Sequence, residues 1–260
     1  MNAAPSALRG DYSRAAPDYS VEQDWSAHTA DEHALFRRLF ERQAKLVERY
    51  ACPEWIAAIA RLDQGRAIPR FDRISAQLKA ATGWEIVAVP GLIPDEAFFT
   101  HLANRRFPVT VWLRKPEEFD YIVEPDVFHD FFGHVPLLFD RVYADHLHEY
   151  GKGGLKAIRL DAVKMLARLY WYTIEFGLMR TPSGVRAYGA GLISSGGELA
   201  YCVDDPKPQR LAFDLERMLC AGYEIDRYQN TYFVIDSFEQ LMRDTAPDFA
   251  PIYARLKDRR

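Results

Sequence analysis

Between Leu155 and Leu178 the chain carries its longest helical pattern, and the second half of it, LARLYWYTIEFGL, is apolar nearly all round. A helix that is greasy on every side cannot lie on a surface, so the other elements must be built around it as a central, buried helix. One residue breaks the pattern: Glu175, flanked by Leu169, Tyr170, Trp171, Tyr172, Ile174 and Phe176. Burying a bare carboxylate costs roughly several kcal/mol, so Glu175 has to be paired, protonated or bound to a metal. Arg168 and Arg180 are the nearby salt-bridge partners; a metal is the other solution.

Upstream, the segment EPDVFHDFFGHVPLL, Glu124 to Leu138, sets His129 and His134 in another greasy stretch, broken by Gly133 and Pro136. On an α-helix five residues turn through about 500°, so two side chains at that spacing diverge by roughly 140° unless the helix ends between them. Gly133 and Pro136 are placed to end it, with His129 on the last turn and His134 on the bend. Two imidazoles and one carboxylate, His129, His134 and Glu175, are the ligand set of mononuclear non-haem Fe(II) oxygenases, which leave coordination positions open for oxygen chemistry. The spacing HDFFGH is not HExxH, whose histidines stand four apart on one helix face. Spacing alone is a weak signal, and a random histidine pair is more often structural. His146 and His148, two apart in ADHLHEY, read as solvent-facing, and His28, His33 and His101 have no partner pattern.

Composition narrows the rest. With 260 residues, 48% hydrophobic and 27% charged, the chain can bury a sizeable core as one large domain or at most two. A net charge of -4 argues against general nucleic-acid binding, because no basic surplus exists to neutralise phosphates. Lys257, Arg259 and Arg260 read as a solvated basic end. Cys52, Cys202 and Cys220 are odd in number and widely spaced, which fits reduced thiols in the cytoplasm and small apolar roles rather than a disulfide framework. No stretch approaches the roughly 20 apolar residues of a membrane span.

Residues 1–23, mixed Ala, Pro, Ser and Asp, read as a flexible N-terminal arm, and 24–260 as the single domain. Thr29 with Glu32 forms a capping-box pattern before a helix that carries Leu35, Phe36, Leu39, Phe40, Leu46, Val47 and Tyr50. Helices are expected over Glu54 to Leu62, Asp72 to Thr82 with a stop at Gly83, Gln209 to Leu219 and Ser237 to Arg243. Strands are expected at Trp84 to Val89, Phe107 to Leu113 and Tyr232 to Ile235, and YGAGLISSGGELAY as a turn region. The fold class is therefore mostly α with a small β component.

The strings EPDVFHDFFGHVPLL, YWYTIEFGL and YGAGLISSGGEL, in that order, closely resemble the catalytic domain of the tetrahydropterin-dependent aromatic amino acid hydroxylases, over nearly the whole ordered chain from Trp25 to Val234. The resemblance implies helices around a buried iron site, with His129, His134 and Glu175 as Fe(II) ligands. It implies a tetrahydropterin on the loop VPGLIPDEAFF, held by Gly91, Leu92 and Ile93 and stacked on Phe98, with Asp130, Ala167 and Tyr170 also facing it. Asp130 stands where the family more often has Glu. Alone, Phe98 and Tyr170 would read as core packing, and Arg114 as a strand-end surface residue. By the match, Arg114 clamps a substrate carboxylate, a role that suits a guanidinium. Pro125, Trp171, Gly191 and Ser194 match positions lining the amino-acid pocket. Ile122 stands where animal members of the family carry Thr, and Asp126 is a candidate to orient His129.

The implied reaction uses O2 as co-substrate and converts L-phenylalanine to L-tyrosine, with tryptophan or tyrosine hydroxylation as alternatives. Val234 stands where tyrosine hydroxylases carry an acidic residue, which favours an apolar ring. The chain lacks room for the regulatory domain and coiled coil of animal relatives, which implies a monomer. Two rivals differ in kind. A zinc hydrolase could use the same ligands, with Asp130 as the local base. A helical binding module would keep the histidines as core residues and hold no metal.

Overall fold

The computed structural model describes residues 8–62 and 67–258. Arg259 and Arg260, expected as part of a solvated end, lie outside the described residues; Lys257 instead donates to the Leu160 carbonyl at 2.8 Å. The elements run α1 (Ala30–Tyr50), α2 (Pro53–Ile59), α3 (Phe71–Thr82), β1 (Glu85–Val89), α4 (Asp95–Ala103), β2 (Arg106–Thr110), α5 (Arg141–Arg159), α6 (Val163–Tyr170), β3 (Leu178–Thr181), β4 (Gly184–Ala187), α7 (Ala190–Ser194), α8 (Glu198–Asp204), β5 (Gln209–Ala212), α9 (Leu215–Cys220), β6 (Thr231–Ile235), α10 (Phe238–Thr245) and α11 (Ala250–Lys257). Two π-helical turns, His129–His134 and Trp171–Glu175, lie among them. The fold is mostly helical with two small sheets. In one, β1 and β2 pair in parallel across α4, with Glu85 opposite Arg106. The other runs β4-β3-β6-β5, antiparallel only between β3 and β4.

Local signals work where the chemistry is local. Thr29 Oγ1 accepts from the Glu32 N–H while Glu32 reaches back to the Thr29 N–H, the reciprocal cap that starts α1. Gly83 ends α3 at φ 79°.

Four expectations need correction. The single helix over Leu155 to Leu178 is three pieces. It stops after Arg159, where Asp161 takes φ 49° and the Ala162 N–H reaches back to Ala157 O at 2.8 Å. That wrap-around ending usually employs glycine, and aspartate tolerates it. The pattern then resumes as α6 and widens into the π turn before β3. Gln209 to Leu219 is a strand and a helix: Gln209–Ala212 pairs with Thr231–Val234, and Asp214 caps α9 by accepting from Arg217 N–H. The glycine-rich turn region holds the short helices α7 and α8. His146 is buried rather than solvent-facing, because the face of α5 that carries it packs beneath α10, where its Nδ1 meets Thr245 Oγ1 at 3.2 Å.

Helix α5 docks on α4 through missing side chains. A Cβ at Gly154 would stand 2.1 Å from the Phe99 ring, whereas one at Gly153 would meet nothing within 4 Å. Gly154→Ala is therefore expected to lower the unfolding free energy by roughly 1–3 kcal/mol through overpacking. Gly153→Ala should raise it by about 0.5–1 kcal/mol, the helix-propensity gain. Urea unfolding of both variants checks the opposite signs.

Candidate active site and metal centre

His129 and His134 open and close one π-helical turn, and Glu175 ends the other. In the second turn the Phe176 N–H bonds to Trp171 O, five residues back, at 2.8 Å. A turn closed at i→i+5 is wider than an α turn, so residues five apart come back toward one side. The two histidines therefore converge without the helix ending between them, which replaces the expected break at Gly133. Gly133 instead permits close packing, since a Cβ there would stand 2.8 Å from Ala190 O. Cβ atoms at Gly189 and Gly191 would come within 2.4 and 3.1 Å of Glu175 O. Bare glycines let α7 lie directly on both π turns.

The result is a compact donor set. The ligand atoms of His129, His134 and Glu175 lie within 4.8 Å of one another. Glu175 Oε2 is 3.6 Å from His129 Nε2, and its Oε1 is 3.2 Å from His134 Nε2. Neither Arg168, which donates to Leu219 O, nor Arg180, which pairs with Asp236, serves as the Glu175 counter-ion. Burial holds the His129 imidazole down to about 4, so it stands neutral with a lone pair to offer. Burial pushes the Glu175 carboxyl upward, but the two imidazoles, His134 foremost, and the Gly191 N–H prevail and hold it below the usual carboxylate range. The tautomer of His129 follows from its support. Ser194 Oγ donates its one hydrogen to Ala190 O at 2.8 Å, so at 2.8 Å from His129 Nδ1 it can only accept. That leaves the proton on Nδ1 and the lone pair on Nε2, facing Glu175. Two imidazole nitrogens and a carboxylate converging on one point fit a divalent iron, with coordination positions left over.

Asp126 acts elsewhere than expected. Its carboxylate takes the Arg114 Nε and Nη2 at 2.8 and 2.9 Å and the His129 backbone N–H at 3.0 Å, leaving the ring to Ser194. Holding Arg114 by that edge leaves the Nη1 side of its fork for another carboxylate.

A cleft of about 510 Å³ opens beside the donor set, with Leu92, Phe98, Arg114, Ile122, Pro125, His129, Ala167, Tyr170, Trp171, Glu175, Gly191 and Ser194 in its wall. Phe98 and Tyr170 meet edge to face at 5.7 Å. Trp171 stacks between Phe176 and Tyr223, at 4.6 and 4.3 Å. A cleft that combines an aromatic wall with a carboxylate receiver suits both a flat heterocycle and an aromatic amino acid. Gly91, Ile93 and Asp130 stand outside that wall. Asp130 accepts from the Thr110 N–H at 2.8 Å and is pushed up to about 7 by burial. Val234 is buried on β6, also away from the cleft.

Sequence reasoning missed the cleft mouth. Exposed Tyr121, Val123, Ile225 and Tyr228 rim it, and Tyr121 Oη donates to Ile225 O at 3.0 Å across it. It also missed buried Glu198, which accepts from the Gln229 N–H and from Tyr232 Oη. Gln229 Oε1 in turn accepts from Trp171 Nε1 at 3.1 Å. The available signal was the loop YEIDRYQ, unusually aromatic for a connection between α9 and β6.

The family model for biopterin-dependent aromatic amino acid hydroxylases matches residues 8–255. The chain belongs to that family. It is 56% identical over 244 residues to the phenylalanine-4-hydroxylase of Chromobacterium violaceum, covering 94% of this chain and 82% of that one. It is 55% identical over 241 residues to the phenylalanine-4-hydroxylase of Ralstonia nicotianae, covering 92% and 77%. The iron- and phenylalanine-bound crystal structure of the Chromobacterium violaceum enzyme superposes with a TM-score of 0.90 at 54% identity, covering 97% of this chain and 91% of that chain. In this hydroxylase the His129–Ser194 contact should govern metal retention. Ser194→Ala is expected to weaken Fe(II) binding by roughly 10–100-fold, read by metal titration of the apoprotein.

Proposed function

We propose that this hydroxylase is a phenylalanine 4-monooxygenase, converting L-phenylalanine to L-tyrosine with O2 and a tetrahydropterin at an Fe(II) held by His129, His134 and Glu175. The observation that carries the reading is the convergence of those three side chains beside a cleft whose wall includes His129 and Glu175 and also presents Arg114 and an aromatic lining. The substrate assignment is supported by the phenylalanine-4-hydroxylase relatives at 56% and 55% identity. Tyrosine and tryptophan are the alternative substrates.

When bound, the iron and the reduced pterin supply the oxygen activation and the ring-hydroxylating chemistry. The chain's residues bind, orient and shield. Arg114, pre-set by Asp126, receives the substrate carboxylate through its free edge. Trp171, Pro125 and Phe176 form the wall against which the substrate ring lies. Leu92, Phe98 and Tyr170 form the cofactor side. Excluding water from that volume protects a strong oxidant from side reactions. Ser194 keeps the His129 proton on Nδ1 and so leaves the Nε2 lone pair for the metal.

A hydrolase with the same ligands would need a base facing the cleft beside the metal, and Asp130 stands outside the cleft wall. Free Cys52, Cys202 and Cys220 support placement in a reducing compartment, the cytoplasm. No helix among the described residues is long and apolar enough to cross a membrane. We take the protein to be a monomer, which size-exclusion chromatography with light scattering checks.

The test is purified protein with Fe(II), tetrahydropterin and O2, run in parallel on phenylalanine, tyrosine and tryptophan. Tyrosine should form from phenylalanine, and Glu175→Ala should abolish it; unaltered turnover in that variant would sink the ligand assignment. Arg114→Lys keeps the charge but loses the planar fork, and should raise KM for phenylalanine by about 10-fold or more, the loss of one charge-assisted contact.

A further inference from the structure

The described chain begins as a segment laid across the cofactor side of the cleft. Gly10 sits so close to Pro90 that an added Cβ would stand 1.8 Å from its carbonyl oxygen. A Cβ on Gly91 would stand 2.7 Å from Arg9 O and 2.9 Å from Tyr12 Oη. Tyr12 Oη donates to Leu92 O at 2.8 Å. Arg9 forks onto Glu118 with two contacts of 2.9 Å, lies over the Trp112 ring at 4.6 Å, and sends its backbone N–H to Glu124 Oε2 at 3.2 Å. Trp112 Nε1 donates to Pro90 O at 3.1 Å, joining the same two regions from beneath. Residues 9–12 therefore grip the VPGLI loop on one side and, on the other, the 118–124 segment that leads into Pro125.

We propose that residues 9–12 form a strap that sets the cofactor loop, with Tyr12 a positioning residue for the pterin and Arg9 the tie between that loop and the amino-acid side. The inference rests on the pterin-dependent reading above. Its physical basis is peptide geometry. In a planar trans peptide the C=O and N–H point in opposite directions. A donor held on the Leu92 carbonyl therefore also sets the direction of the Ile93 N–H, and with it the orientation of Leu92 toward the volume a flat heterocycle would occupy. Leu92 belongs to the cleft wall, so a turn of this peptide is felt inside the cleft. Arg9 adds reach: its partners Glu118 and Glu124 bracket the stretch that holds Ile122, another wall residue.

The test compares the Fe(II)-loaded protein with Tyr12→Phe, Arg9→Gln, and the charge-swapped pair Arg9→Glu with Glu118→Arg. Calorimetric titration with 7,8-dihydrobiopterin, which does not support turnover, reads binding directly; KM for tetrahydropterin and phenylalanine, kcat and the melting temperature are measured alongside. Tyr12→Phe should weaken dihydropterin binding and raise the tetrahydropterin KM about three- to tenfold, as expected for one lost hydrogen bond, while changing kcat and the phenylalanine KM less. Arg9→Gln should raise both KM values, and the swapped pair should recover part of the loss. Wild-type dihydropterin affinity in both Tyr12→Phe and Arg9→Gln overturns the strap, as does a melting-temperature drop without any change in that affinity. A wild-type protein that makes tyrosine while its pterin affinity ignores these substitutions sinks the strap alone. One that binds dihydropterin in a Tyr12-dependent way but makes no tyrosine sinks the phenylalanine reading and leaves the strap standing.

Discussion

A carboxylate inside an apolar helix is the constraint around which this molecule is arranged. Glu175 cannot be left bare, and among the described residues neither Arg168 nor Arg180 meets it. Two imidazoles meet it instead, at 3.2 and 3.6 Å, from a segment some forty residues earlier. Three groups that each favour a cation at their centre, and that have little else to satisfy them, make a metal site rather than an ion pair. The widened turns serve that requirement: both ligand-bearing segments depart from α geometry, and α7, with glycine at its N-cap (Gly189) and at Gly191, closes over them.

Support for the centre is graded outward. Ser194 fixes the proton on one ligand, Asp126 fixes both the backbone of that ligand and the guanidinium of Arg114, and Glu198 with Gln229 ties the Trp171 side chain to the loop at the cleft mouth. Ser194, Asp126 and Gln229 each hydrogen-bond to a residue that itself faces the cleft or the metal, so the same contacts that satisfy burial also set the chemistry. Asp126 shows this most plainly, since one carboxylate orients both a metal-ligand backbone and a substrate-binding cation.

Much of this was legible in the sequence where the deciding physics is short-range. The cap at Thr29 and the stop at Gly83 depend on residues within one turn of each other; Glu175 stands out by the cost of burying a carboxylate, and His129 and His134 by their spacing in a greasy segment together with the family resemblance. What misled was context. Asp161 ends α5 in a conformation that glycine usually signals, so no warning stood in the sequence. Gln209–Ala212 has a helix-compatible pattern, but a parallel partner in β6 was waiting for it. His146 sits in a charged stretch, yet its own face of α5 is the one α10 covers.

The amino-acid sequence by itself determined which side chains could not be left in an apolar interior, and therefore which ones had to find each other; periodicity and side-chain chemistry are properties of the chain alone. Only the tertiary structure decided how they meet. The widening of two turns to the i→i+5 pattern, the direction of each imidazole, the pairing of Asp126 with Arg114 and the position of Tyr12 against Leu92 all depend on contacts between residues distant in sequence. Those contacts exist only once the core has closed, and no local pattern encodes them.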